Sequence, residues 1–565
     1  MKKLSIFFIF IFVFILGGCT NQAHPTAEII VDETSINMEV DQNYSIGADV
    51  IYSETSLDLG YKSSNKDIAT VSSNGLITAK ATGVVEITIY LIKYTQTKTI
   101  ITVNVLGDES ENVINIFSLN DFHGAVFLDD DEAGLSRIGK YLLEQKTNYP
   151  NQTVIISAGD MFQGSAVSSL TRGDVVVDVM NAIGFDAMTI GNHEFDWGVS
   201  GITRFIDGNT TNNEAQFPFL GANIFQISQN DLADWAQPYT VVTKGNLKIG
   251  IIGMLGESQT EDILASVVSD YIFTNKMDAI RKYAKILRTE EDCDLVIASV
   301  HDDTTNINSQ IANLTGDYRV DAVINGHTHH YYSGEEARLT GSPLPYVQSG
   351  DNGRFIGKIT LFLDPITKQV TDVSVENIRT ETFCTEESPL INEIINQYPE
   401  EIALANEVLG TAGQNIYREE ATTWAATAIA KHGLGQVGVI NSGGIRSGAF
   451  PIYEDNLVTF GNIFKMMPFE NLVITLNLTG QQLFYLFNSG LRFSSNVDIV
   501  NHTIDGVAIV SDQNYKVVTM DFVFEGYDGY FANATNIVYT GDLFRDYLVQ
   551  EVKDSVLANG KWYLE

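Results

Sequence analysis

Two lysines, Lys2 and Lys3, precede an unbroken apolar run from Ile6 to Leu16. That run is shorter than the roughly 20 residues a membrane-spanning helix needs. Strand-like alternation with frequent turn residues then fills residues 28–106, as in Val85-Glu86-Ile87-Thr88-Ile89 after Gly83. A polar, acidic stretch, Gly107-Asp108-Glu109-Ser110-Glu111, closes this segment off. From Val113 short apolar runs of strand length alternate with helical patterns at Leu135 to Gln145 and Met277 to Arg288. This texture predicts an α/β domain over 113–385. A charged, helix-prone linker over 386–405 leads into a last α+β domain, 406–565. There the pattern predicts a helix near Glu420 to Lys431 and strands near Val437 to Ile440 and Val517 to Phe524. A chain of 565 residues is too long for one hydrophobic core, which agrees with a multidomain reading.

The start of the chain has the charged, apolar and small-residue order of a signal peptide, residues 1–19. Leu16-Gly17-Gly18-Cys19 resembles a bacterial lipobox, which implies a lipid on Cys19 and anchorage at the outer face of the cell membrane. The other two cysteines, Cys293 and Cys384, form no disulfide framework and no zinc-ribbon spacing, and one bridge between them stays open. The formal charge of -37 argues against a nucleic-acid polymer as partner, because such partners select basic patches. An anionic substrate then needs a local site that overrides the global field, most simply bound metal ions. The motifs Tyr61-Lys62-Ser63-Ser64-Asn65, Ala69-Thr70-Val71 and Asn74-Gly75-Leu76-Ile77-Thr78-Ala79 resemble a bacterial Ig-like domain of the intimin/invasin type. The resemblance implies a small all-β sandwich serving as spacer or adhesive module, with any surface ligand open.

Five apolar runs of the α/β domain each end in residues that ligate metals. Ile114 to Leu119 leads into Asn120-Asp121-Phe122-His123-Gly124, and Val154-Ile155-Ile156 into Ala158-Gly159-Asp160. Ala187 to Ile190 leads into Gly191-Asn192-His193-Glu194-Phe195-Asp196. Leu295 to Val300 leads into His301-Asp302, and Ala322 to Ile324 into Asn325-Gly326-His327-Thr328-His329. Ligands of α/β sheets collect beyond the carboxyl ends of the strands, so five such ends can converge on one site. The donors are oxygen and imidazole nitrogen without thiolate, a set that suits zinc, manganese or similar divalent ions. Each motif alone is weak, and the five in this order are not.

This order resembles the calcineurin-like metallophosphoesterases, and Asn-Asp-Phe-His-Gly with Gly-Asn-His-Glu-Phe-Asp points to their 5'-nucleotidase branch. The resemblance runs from about Val113 to the C-terminus and implies a four-layer α/β catalytic domain. It implies that Asp121, His123, Asp160 and His329 hold one metal ion. Asp160, Asn192, His301 and His327 would hold the other, with Asp160 bridging. His193 would face the substrate as catalytic residue, its ring oriented by Asp196. In the last domain Asn441-Ser442-Gly443-Gly444-Ile445-Arg446 resembles the nucleotidase loop that approaches the substrate phosphate. By the same resemblance Phe469 and Phe522 sandwich the base, Asp528 accepts from the ribose, and Arg418 is a second family arginine.

The chain departs from the family at Ala421-Thr422-Thr423-Trp424 and at Phe524-Glu525-Gly526-Tyr527-Asp528-Gly529, which puts fine substrate preference in doubt. The implied activity is extracellular hydrolysis of nucleoside 5'-phosphates for salvage, with nucleotide sugars or diphosphates as further substrates. Rival readings are a 2',3'-cyclic-nucleotide phosphodiesterase with 3'-nucleotidase activity and, more remotely, a surface adhesin on an inactive scaffold.

Overall fold

The computed structural model describes residues 27–51, 57–81, 83–106, 112–129, 132–209, 211–302 and 306–564. The signal peptide and Cys19 expected within residues 1–19 lie outside them. Among the described residues no helix is long and apolar enough to cross a membrane. The chain divides into two compact units, Met1–Ser110 and Glu111–Glu565.

The first unit is the expected β-sandwich. A four-stranded sheet runs in the order Ser35–Glu39, Lys98–Leu106, Gly83–Leu91, Leu59–Ser63, and a three-stranded sheet contains Asn43–Ser45, Leu76–Ala79 and Ala69–Val71. Alternation decides which side chains go inward: Val85, Ile87 and Ile89 are buried with Ile77, Ala79 and Val103, while Glu86 faces out.

Two six-stranded sheets form the centre of the second unit. One is ordered Phe219–Leu220, Ala187–Thr189, Thr153–Ser157, Val113–Leu119, Phe355–Leu363, Val370–Arg379. The other is ordered Tyr239–Lys244, Leu247–Leu255, Leu295–His301, Ala322–Gly326, Leu344–Ser349, Tyr331–Glu336. Their inner faces share one apolar cluster, including Ile114, Ile116, Val154 and Ile156 from the first and Ile249, Ile297 and Ile324 from the second. The outer faces are also covered. Phe117 and Ile155 pack with the helices Gly134–Asn148 and Asp174–Ile183, and Val296 and Ala298 pack with Lys276–Thr289. Burial on both faces explains why these strands read as continuous apolar runs. The result is a helix–sheet–sheet–helix stack, the four layers expected.

The helix-prone linker is two short helices, Pro389–Ile395 and Pro399–Ala405, interrupted where Tyr398 precedes a proline. Ile391 and Ile395 belong to the core of the catalytic domain, and the Tyr398 hydroxyl donates to Asp178 at 2.6 Å. The last domain carries a five-stranded sheet ordered Arg492–Phe493, Val437–Ile440, Asn514–Met520, Leu472–Thr479, Thr535–Leu543. The helices Arg418–His432 and Phe544–Asn559 pack on it.

One boundary is corrected. The strand expected through Phe524 stops at Met520, and Asp521–Gly526 is a short helix. Buried Asp521 accepts from the Phe522 backbone N–H at 2.8 Å and from Asn471 Nδ2 at 3.0 Å, which ends the ladder and starts the turn. Cys293 and Cys384 are buried free thiols in separate apolar clusters, so they form no bridge.

Candidate active site

The strands Val113–Leu119, Thr153–Ser157 and Ala187–Thr189 run parallel, as do Leu295–His301 and Ala322–Gly326 in the second sheet. Their carboxyl ends bring the motif residues together in two groups, Asp121 with His123 and His329, and Asp160 with His301 and His327. Asp121, His123, Asp160, His327 and His329 all have left-handed backbone, with φ between 48° and 89°. Non-glycine residues rarely pay for that conformation unless the surroundings impose it, and such strain concentrates at functional sites. Gly159, with φ of 95°, lets the chain turn here, because a Cβ would lie 2.8 Å from His301 Nδ1.

The hydrogen bonds set the imidazole tautomers. His123 Nδ1 donates to the Gln163 carbonyl at 2.9 Å, and His301 Nδ1 donates to the Ala158 carbonyl at 2.7 Å. Each ring therefore turns an Nε2 lone pair toward the centre. His123 Nε2 lies 3.1 Å from His329 Nε2. His301 Nε2 lies 3.1 Å from Asn192 Oδ1 and 3.2 Å from Asp160 Oδ2, and His327 Nδ1 is 3.1 Å from the same Asn192 oxygen. Converging lone pairs on buried oxygen and nitrogen, with their outer nitrogens tied to carbonyls, fit two divalent cations.

The electrostatics agree. Burial and the neighbouring Asp160 raise Asp121 to about 7 even though His301 works the other way. Burial, His329 and His193 hold His123 well below the usual histidine range. Acids and imidazoles so displaced are the groups a cation would rescue.

His193 stands beside this centre. Its backbone N–H donates to Asp160 Oδ1 at 2.9 Å, and its Nδ1 meets Asp196 Oδ2 at 2.9 Å. Burial disfavours its charge, yet the carboxylates of Asp196 and Asp160 lift it to about 8. With Nδ1 engaged by Asp196, Nε2 is the nitrogen left to act.

Asp160, Asn192, His193, Asp196, His327 and His329 line a cavity of about 440 Å³. Its other wall comes from the last domain: Asn441, Gly443, Gly444, Arg446, Phe469 and Phe522. The Arg446 guanidinium makes no hydrogen bond or ion pair among the described residues and sits over the Phe469 ring, 5.7 Å from its centroid. Phe469 in turn stacks near His193, with centroids 6.0 Å apart at 25°. The buried Oδ1 of Asn441 also lacks a partner. Two expected binding residues stand elsewhere. Arg418 spends Nε on the Ile445 carbonyl and Nη2 on that of Ser442, both at 2.7 Å, and so braces the glycine loop from behind. Asp528 is exposed at the start of a one-turn helix, outside the cavity lining.

Sequence reasoning missed Glu194. Its buried carboxylate accepts from the backbone N–H groups of Asp160 and Met161 at 2.9 Å and of Gly191 at 2.7 Å. It thereby ties the Asp160 loop to the Asn192 loop. The signal available was an acid inside an otherwise assigned motif. Trp197 and Asp262 also line the cavity, and no pattern in the sequence singled them out.

A four-layer α/β domain with two convergent oxygen–imidazole groups defines a metal-dependent phosphoesterase hydrolase. Residues 114–331 match the calcineurin-like phosphoesterase family, 401–535 the 5'-nucleotidase C-terminal domain, and 25–103 the bacterial Ig-like domain, group 2. The chain thus carries a calcineurin-like phosphoesterase domain followed by a 5'-nucleotidase C-terminal domain. It is 26% identical to a cell wall protein of Listeria monocytogenes over 533 residues, covering 79% of this chain and 67% of that protein. It is 24% identical to a trifunctional nucleotide phosphoesterase of Bacillus subtilis over 483 residues, covering 74% of this chain but 32% of that protein. A 5'-nucleotidase precursor from Thermus thermophilus shares the fold, with a TM-score of 0.65, 20% identity, and coverage of 78% of this chain and 96% of that one.

Proposed function

We propose that this protein hydrolyses nucleoside 5'-phosphates to nucleoside and phosphate at a two-metal centre, for nucleotide salvage. One observation carries the reading. A single cavity is lined by the metal-ligand residues Asp160, Asn192, His327 and His329 on one wall and by Arg446, Phe469 and Phe522 on the other.

Asp121, His123, Asp160 and His329 hold one ion in this reading, and Asp160, Asn192, His301 and His327 the other. Bound divalent cations, zinc or manganese by the donor set, would polarise the phosphoryl oxygens and acidify water. The protein's own groups do the rest. Arg446 offers an unpaired guanidinium to the phosphate beside Asn441 and the Gly443-Gly444 turn. His193 carries its proton on Nε2 toward the leaving 5'-oxygen, and Asp196 fixes the ring by holding Nδ1–H. Phe469 and Phe522 stack on the base, a contact that tolerates any base. Arg418 braces the glycine loop.

The location proposed is the outer face of the cell membrane, through a lipid on Cys19. An Ig-like domain and a cell wall protein among the relatives support a surface position.

The test is phosphate release by protein lacking residues 1–19, after chelation and with manganese or zinc added back. Fast metal-dependent release from AMP, abolished in His193→Ala, is the expected result. Preference for 2',3'-cyclic AMP would transfer the protein to the cyclic-nucleotide branch. No turnover of either, with metal bound, would leave the adhesin reading.

A further inference from the structure

Gln163 is 2% exposed, and its Nε2 meets no hydrogen-bond acceptor among the described residues. A buried N–H donor without a partner costs stability, so its presence in a packed site needs a reason. The backbone around it is held firmly. The Gln163 carbonyl accepts from His123 Nδ1 at 2.9 Å, and the Ser165 N–H donates to the His123 carbonyl at 2.9 Å. Gly164 between them has φ of 152°, and a Cβ there would lie 2.3 Å from the His123 carbonyl oxygen. Residues 163–165 are thus pressed against the His123 turn, which fixes the point from which the Gln163 side chain starts. Any residue could supply the carbonyl that orients His123. The amide therefore needs an explanation of its own.

Its position gives one. Two cavities, of about 440 and about 500 Å³, meet at a common wall made of Gln163, His329, Gly443, Arg446 and Pro468. That wall joins a metal-ligand candidate to a guanidinium without a hydrogen bond, two kinds of group that seat a phosphate. The other cations lining the second cavity are committed. Lys465 Nζ pairs with Asp129 at 2.7 Å and with Glu132 at 3.5 Å, and Arg418 holds the two loop carbonyls. Arg446 and Gln163 Nε2 stay unengaged, one donor group from each domain. A buried N–H beside an anion makes a charge-assisted hydrogen bond, roughly twice as strong as a neutral one.

Resting on the nucleotidase reading above, we propose that Gln163 is a further substrate-binding residue, its Nε2–H donating to a non-bridging oxygen of the substrate phosphate. Arg446 reaches the same group from the last domain. The amide is neutral, so it adds a directed hydrogen bond without adding to the positive charge that holds the product.

Gln163→Met keeps the length of the side chain and removes the donor, and Gln163→Glu sets a carboxylate against the phosphate. Manganese would be titrated calorimetrically into chelated protein, and inorganic phosphate and adenosine into manganese-loaded protein. KM for AMP would be measured alongside. Gln163→Met should weaken phosphate binding and raise KM for AMP at least about fivefold, with adenosine and manganese affinities within about twofold of wild type. Gln163→Glu should weaken phosphate binding further, because two anions then face each other. Retained adenosine and manganese binding shows that either variant is folded. Unchanged phosphate affinity in Gln163→Met would overturn the proposal. So would an equal fall in manganese affinity, which would give the side chain a part in holding His123 instead. A wild type that binds phosphate but does not hydrolyse AMP would strike the nucleotidase reading, and the phosphate titration would then decide the Gln163 contact by itself.

Discussion

The two walls of the 440 Å³ cavity hold their polar groups on different terms. On the catalytic-domain side His193 at the wall and His123 and His301 behind it each have one ring nitrogen committed, and Glu194 clamps three backbone N–H groups of the Asp160 and Gly191 turns. On the wall from the last domain, among the described residues, the Arg446 guanidinium has no hydrogen bond and Asn441 Oδ1 has no partner. The first wall is organised before anything binds, and its strain is held in place by its own domain. The second keeps groups unsatisfied that a substrate phosphate would satisfy. A site built this way separates chemistry from recognition, so damage to one wall should show in kcat and damage to the other in binding.

The largest effect expected on this comparison is that of His193→Ala. Loss of the proton donor should cut kcat about 10²–10⁴-fold with little change in affinity for AMP. Steady-state kinetics with saturating manganese would measure it, and a drop confined to KM would mean that His193 belongs to the recognition wall instead. Next comes Glu194→Gln, a residue that touches no substrate. Its amide nitrogen would face backbone N–H donors where the carboxylate accepted them, and the Asp160 and Asn192 loops would lose their tie. Manganese binding to chelated protein should weaken about 10–100-fold. Calorimetric titration reads this directly, and unchanged metal affinity would show that the backbone strain is self-sustaining.

How much was legible in the sequence follows the same division. All seven metal-ligand candidates come together in the fold because each follows its strand within a few residues, and parallel strands deliver their ends to one place. The recognition wall was harder. Phe469, Arg446 and Phe522 line the cavity, yet the strand proposed through Phe524 ends at Met520. The apolar run there is also compatible with a helix, and the buried Asp521 settles it. Asp528 stands exposed, and nothing in its local pattern could have distinguished that from a place in the cavity.

A smaller effect is expected from the aromatic pair. Removing Phe522 should cost about 1–3 kcal/mol of base stacking, roughly 5- to 150-fold in the Kd for AMP. Binding to the His193→Ala protein isolates this from turnover. Phe469→Ala should cost more than Phe522→Ala, since that ring also packs near His193 and under Arg446. If the two are equal, the contact with the catalytic wall adds nothing.

The smallest effect concerns what holds the walls together. Lys465 reaches from the last domain to Asp129 at 2.7 Å and Glu132 at 3.5 Å, with Lys465 itself 30% exposed and Asp129 56%. Exposed pairs of this kind contribute less than about 1 kcal/mol. Glu132 is buried, and a buried carboxylate stripped of its partners would cost far more. It is not stripped here, because Arg354 Nη2 remains at 3.2 Å and Asn352 Nδ2 at 2.9 Å. Lys465→Ala should therefore shift the urea midpoint of the Glu111–Glu565 unit only slightly and leave kcat for AMP unchanged. Glu132→Ala should destabilise more than Lys465→Ala, since it leaves Arg354 and Asn352 without their shared acceptor. A large fall in kcat from Lys465→Ala would mean that the distance between the walls, and not the contents of each, sets the rate.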